Sequence, residues 1–262
     1  MRKTINKLFL IITVISALLL TTGCDLFIKT NKGQVDQKWY MGLTYEDDNG
    51  NDTDYTIGTD GTIAAVALED GYGDEFGIIK GEEAYLNINT IIKNIDKRFY
   101  VDATNNLVMF TDATKTYKTK IGGKTINETE NTDYVISFMD GKNCYVNVKF
   151  VKKYVDFDYK VVKAEGKSPA RIVLKYTSGE KNQMTVKSNI EMRTKADYQN
   201  LIVTTLKKNT KVTVLEESGD WTKVGTDDGF MGYVPAKKLK DKETKKTEFK
   251  SDADTYTHVL MN

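Results

Sequence analysis

The sequence predicts an α+β N-terminal region of duplicated strand–helix–strand units, followed by a small all-β barrel. Three observations predict it. Two stretches align 60 residues apart, "AYLNINTIIKNIDKRFYV" (Ala84–Val101) and "CYVNVKFVKKYVDFDYKV" (Cys144–Val161). Each reads as a strand, a capped helix and a second strand. From Met184 onward, short apolar runs alternate with turn residues at the spacing of a small barrel. The 262 residues contain only two prolines and two cysteines, which excludes a Pro-rich stalk and a disulfide framework.

The chain opens with "MRKTINKLFLIITVISALLLTTGC". Arg2, Lys3 and Lys7 give a positive start, Leu8–Leu20 an apolar run, and Thr22-Gly23 small residues immediately before Cys24. This is the layout of a secretory signal. The run is short for a membrane-spanning helix, which needs roughly 20 residues. The small residues before a cysteine resemble a bacterial lipobox, which implies lipidation of Cys24. In that pattern leucine stands three places before the cysteine; here Thr21 stands there and Leu20 one place earlier. An uncleaved signal anchor and plain secretion are the alternatives. All three place the rest of the chain outside the cytoplasmic membrane, and residues 25–35 read as a tether.

Lys and Arg number 38 against 37 Asp and Glu, so the net charge of +1 names no partner. The distribution is uneven. Asp36–Phe110 is acidic and Thr111–Gln183 mildly basic, which reads as two solvated faces. No stretch joins a dense basic stripe to interleaved aromatics, so nucleic acid is not an expected partner.

Residues 36–175 read as one α+β domain. "EDDNGNDTDYTIGTDGT" (Glu46–Thr62) is dense in Asp, Asn and Gly but lacks the spacing of a calcium loop, and reads as polar turns. "GTIAAVALED" and "FGIIKGEEAYLN" read as strands around Gly-rich turns. In the first aligned stretch Asn87 is the helix cap, and Ile88, Ile91, Ile92 and Ile95 form one apolar stripe. In the second, Asn147 caps Val148, Val151 and Val155. Ala103–Asn106 and Asp140-Gly141 mark hairpin turns. Cys144, amid strand-like apolar residues, reads as an inert core thiol.

The repeated unit resembles the stalk domain labelled copper amine oxidase N-terminal-like, found in secreted and wall-associated proteins of Gram-positive bacteria. That family has proline where Asn87 and Asn147 stand. The resemblance implies a rigid spacer or binding module. Its copper does not transfer, because copper(II) favours imidazole nitrogen and this region has no histidine. No cofactor is expected.

Residues 184–240 resemble the bacterial SH3-like domain. The match lies in Asn189–Arg193, Leu206–Val212, Gly219–Val224 and Gly229–Val234. Asn209 stands where that family has glycine; asparagine tolerates the left-handed conformation such a turn requires. Many members bind peptidoglycan peptides or other wall polymers, which makes Tyr198, Trp221 and Tyr233 candidate groove residues. The alternative is that Trp221 and Tyr233 fill the barrel core. "TDDGF" (Thr226–Phe230) reads as a hairpin tip, and the family's Gly-Pro is replaced here by Lys195-Ala196.

Residues 241–262 read as a charged, solvated linker and a short tail, "TYTHVLMN". The order of modules resembles the front of envelope-anchored family 18 glycoside hydrolases of clostridia-like bacteria, where such a tail leads into the catalytic barrel. That family needs D-x-x-D-x-D-x-E. The nearest fragment is Asp156-Phe157-Asp158, with Lys160 in the glutamate's place. His258 is the only histidine, so neither a Ser-His-Asp set nor a zinc set is credible. The expected function is therefore non-catalytic: an extracytoplasmic, membrane-anchored protein in contact with peptidoglycan or a wall polymer. The alternatives are an accessory part of a glycoside hydrolase and a purely structural spacer.

Overall fold

Short polar turns and alternating apolar strands organise this chain, and the computed structural model describes residues 30–176 and 179–247. Residues 1–29, with Cys24, and residues 248–262, with His258, lie outside the described residues. After Asp36, whose carboxylate accepts from the N–H groups of Lys38 and Trp39, comes the one-turn helix α1 (Gln37–Tyr40). β1 (Thr44–Glu46) and β2 (Asp52–Asp54) form a hairpin. Its turn is the acidic stretch read as polar loop: the Asp47 carboxylate accepts from the N–H groups of Asn49 and Asn51.

The first large sheet is built around β3 (Thr62–Ala67), β4 (Gly77–Lys80) and β5 (Glu83–Asn87). Helix α2 (Ile88–Asn94) leads into a three-stranded sheet of β6 (Phe99–Asp102), β7 (Leu107–Thr111) and β8 (Thr116–Lys120). β9 (Thr125–Ile126) and β10 (Glu130–Asn131) form a small hairpin. The chain then re-enters the first sheet through β11 (Ser137–Asp140) and β12 (Asn143–Asn147). Helix α3 (Val148–Lys152) follows, then β13 (Phe157–Val162) and β14 (Ala170–Tyr176). The strand order is β11-β12-β5-β4-β3-β14-β13, with only β14–β3 parallel.

The two aligned stretches meet in this sheet. Leu86 pairs directly with Val146, and Tyr85 with Asn147. Both caps form as read: Asn87 accepts from the Asn89 N–H and Asn147 from the Lys149 N–H, each at 2.9 Å. The likeness stops there. β6 leaves for the three-stranded sheet, whereas β13 forms the far edge of the large sheet, so a duplicated strand–helix–strand architecture is not evident. The helices are also too short to make a layer. Among the described residues strand accounts for 50% and helix for 9%, so the fold is mostly β where α+β was expected. Ile88 and Ile91 are buried and Ile95 is half-buried against the core, but Ile92 of the expected stripe is exposed.

The second large sheet holds β15 (Gly179–Val186), β16 (Ile190–Arg193), β17 (Ile202–Leu206), β18 (Lys211–Ser218), β19 (Trp221–Gly225), β20 (Met231–Pro235) and β21 (Leu239–Thr247). Their order is β17-β16-β20-β19-β18-β15-β21. Asn209 takes φ +67°, the left-handed turn conformation expected of it. The residues from 241 to 247, expected as linker, continue β21 against β15. Their side chains up to Lys245 stay exposed, because an edge strand can satisfy its backbone on one side and leave its charges in water.

Residues 31–35, expected as tether, are also ordered on this sheet. Val35 donates to the Ile202 carbonyl and Ile202 to the Gly33 carbonyl, both at 2.9 Å. The backbone of this segment thus finds partners on the open edge of β17.

The first sheet is covered on both faces, which explains its continuous apolar text "IAAVA". Ala64, Val66, Ile79, Leu86 and Val146 face the helices and the three-stranded sheet. Ala65, Ile78, Tyr85 and Tyr145 belong to a second cluster with Val203, Phe230 and Val234 of the C-terminal sheet. Cys144 is buried as expected, and burial pushes its thiol up to about 11.

Candidate functional site

The C-terminal sheet turns one face inward. Thr222 and Val224 of β19 and Val234 of β20 are buried there. Alternation along each strand places Trp221, Lys223 and Tyr233 on the opposite face, with Tyr233 beside Lys223 and Trp221 beside Pro235. The barrel core is therefore filled by other residues, and Trp221 and Tyr233 are half-buried on the outer face. Tyr198 lies in the loop between β16 and β17, and its ring meets Trp221 at 4.8 Å between centroids, tilted by 61°. This edge-on geometry is a favoured aromatic pairing. Two of the three candidate residues thus form one aromatic pair. Tyr233 stands apart, next to Arg193 in the β16–β20 ladder and close enough to Tyr40 to interact with it electrostatically.

The loop carrying Tyr198 is shaped by Asp197 and Arg193. Asp197 accepts from the Gln199 N–H at 3.0 Å, and the Thr194 N–H closes the loop on the Leu201 carbonyl. Arg193, 1% exposed, donates through Nη1 to the carbonyls of Asn200 (2.6 Å) and Asn31 (2.9 Å), and through Nη2 to the Glu191 carboxylate. Its guanidinium lies 5.9 Å from the Tyr198 ring centre. Asn31 returns the contact, donating to the carbonyls of Tyr198 and Gln199. One buried cation thus fixes the aromatic loop and the N-terminal segment together. Sequence reasoning placed Arg193 in the motif without this role, because its partner Asn31 is 162 residues away.

The hairpin tip Thr226–Phe230 forms the expected turn, closed by Gly229 donating to Thr226. It is not free. Arg171 Nε donates to the Asp228 carbonyl at 2.6 Å, and its guanidinium lies 4.3 Å from the centre of the Phe230 ring. Tyr72 donates to the Gly229 carbonyl at 3.0 Å and accepts from the Met231 N–H at 3.2 Å. Tyr40 donates to the Met231 carbonyl. Gly229 sits at φ +85°, and a Cβ there would stand 2.8 Å from Val173. Only glycine fits this approach. Burial and the nearby Tyr233 push the Tyr40 hydroxyl up to about 12, and burial raises Tyr72 further. Lys223 Nζ also reaches the Asp70 carbonyl at 2.7 Å.

The outer face of β19–β20 is therefore covered by the N-terminal region at its Tyr233 end and carries the Tyr198–Trp221 pair at the other. Among the described residues no group of three or more His, Cys, Asp or Glu side chains could hold a metal ion, and no helix is long and apolar enough to cross a membrane.

Residues 188–240 match the family described as Bacterial SH3 domain. No curated protein and no solved structure matches the chain.

Proposed function

We propose that this chain is a non-catalytic, extracytoplasmic protein, anchored to the membrane at its N-terminus, that contacts peptidoglycan or a wall polymer through its C-terminal module. The observation that carries this reading is the Tyr198–Trp221 pair on the outer face of a segment matching the Bacterial SH3 domain, whose members often bind cell-wall polymers. Paired, half-buried aromatics give a ligand large contact area at little cost in side-chain freedom. The leader sequence ending at Cys24 supports the anchored location. A catalytic role is disfavoured by the residues themselves, which offer no paired acid and nucleophile of a known glycan-cleaving pattern. As an accessory part of a glycoside hydrolase, the chain would make the same wall contact.

The test is sedimentation of the full chain with purified cell walls. The full chain is expected to co-sediment, and Trp221→Ala and Tyr198→Ala each to lower the apparent affinity about ten-fold, the loss typical of a central aromatic contact. Failure to co-sediment, or binding by both variants as tight as that of the unsubstituted chain, would rule out this site.

A further inference from the structure

The described chain begins at the same edge of the C-terminal sheet that holds the Tyr198 loop. Thr30 is only six positions after Cys24, so an acyl anchor at Cys24 holds that edge within about 20 Å of the lipid headgroups. An uncleaved anchor ending at Leu20 extends this to about 35 Å. Two of the large apolar side chains that the described residues leave in water gather at this edge: Trp39 is 55% exposed and Leu201 39%. They border a groove of about 370 Å³ whose other walls include Val35, Tyr40, Lys195 and Asn200. Leu201 packs against Gly33, so the apolar rim and the incoming chain are one surface. No carboxylate lines the groove, and Lys195 is exposed beside it.

An exposed tryptophan with an apolar neighbour and a cation suits the boundary of a bilayer. The indole ring is apolar with a polar N–H and settles at headgroup depth, while a lysine meets lipid phosphate. A lone acyl chain gives weak attachment, and a second contact strengthens it. We propose that the Trp39–Leu201 edge docks onto the lipid surface that holds the N-terminus. The Tyr198–Trp221 pair, whose tyrosine shares its loop with Leu201, is then held close to that lipid surface. This inference rests on the anchored reading above.

The experiment uses the full chain carrying Trp221→Phe, in which Trp39 is the only tryptophan. It is expressed, recovered from the membrane fraction, and reconstituted in vesicles of phosphatidylglycerol and phosphatidylethanolamine. Trp39 emission is expected to shift to shorter wavelength and to be quenched by lipids brominated near the headgroup. Leu201→Asp is expected to abolish the quenching while circular dichroism stays unchanged. A chain attached to vesicles with unquenched Trp39 overturns the docking and leaves the anchor standing. A chain found only in the soluble fraction overturns the anchored reading and this inference with it. A Trp39 response to solubilised wall glycan and not to lipid would make glycan the occupant and overturn the inference.

Discussion

Arg193 concentrates more of the architecture than any other single side chain near the candidate site. Its guanidinium is buried, so its donors need partners, and the Asn31, Asn200 and Glu191 oxygens each accept from it. Removing it takes a donor from two carbonyls and leaves the half-buried Glu191 carboxylate with Lys32. Arg193→Ala is expected to lower stability by about 2–4 kcal/mol in urea unfolding. It should also open residues 30–35 to limited proteolysis. Arg193→Lys should recover only part of this, since an ammonium cannot reproduce the planar fork. An unchanged midpoint for Arg193→Ala would show that the network carries little.

At the scale of elements, the strand–cap–helix units show how much a short helix depends on its first residue. α3 has five residues and is too short to persist on its own. Its stability comes from Val148, Phe150 and Val151 in the core and from the Asn147 cap. Asn147 does three things: its carbonyl oxygen accepts from Lys149, its amide donates to Glu83 at 2.9 Å, and its backbone N–H donates to the Ile136 carbonyl at 2.8 Å. Asn147→Ala is expected to cost about 1–2 kcal/mol. Asn147→Pro should cost about 1 kcal/mol more, because it also removes the N–H that Ile136 accepts from. Thermal melts of the two variants check the order; equal melting temperatures would refute it.

At the scale of the whole molecule, the two large sheets share one buried cluster, and Tyr72, Tyr40 and Arg171 tie the Thr226–Phe230 hairpin to the N-terminal region. The two parts should unfold in one cooperative transition. The buried tyrosines give that transition a pH signature. Tyr40 rises from 10.0 to about 12, and Tyr72 is raised as well, so the native state prefers their protonated forms. That preference stabilises the protein fully below pH 10, the ordinary tyrosine value, and is lost as pH climbs through the native value near 12. The unfolding midpoint should therefore fall steeply above pH 10. Tyr72→Phe should be less stable at neutral pH, since Gly229 and Met231 lose a partner, yet show a shallower alkaline decline. Parallel declines for both proteins would exclude this linkage.

Much of the local structure was legible in the residues alone. Asn87 and Asn147 announced their caps, Asp140-Gly141 its hairpin, Asn209 its left-handed turn and Cys144 its burial, because each depends on neighbours within a few positions. The strands of the C-terminal sheet were legible too, through their alternation. The association of distant segments was not. Residues 31–35 read as tether and 241–247 as linker because their polar side chains say nothing about the free strand edges that satisfy their backbones. Trp221 and Tyr233 could not be assigned to core or surface until the register of β19 and β20 fixed which face each shows. The sequence by itself determined short-range hydrogen bonding and the apolar period of each strand. Only the tertiary structure decided which face of each sheet is covered and by what, since that choice rests on contacts such as Arg171 with Asp228 and Arg193 with Asn31, between residues that no local pattern connects.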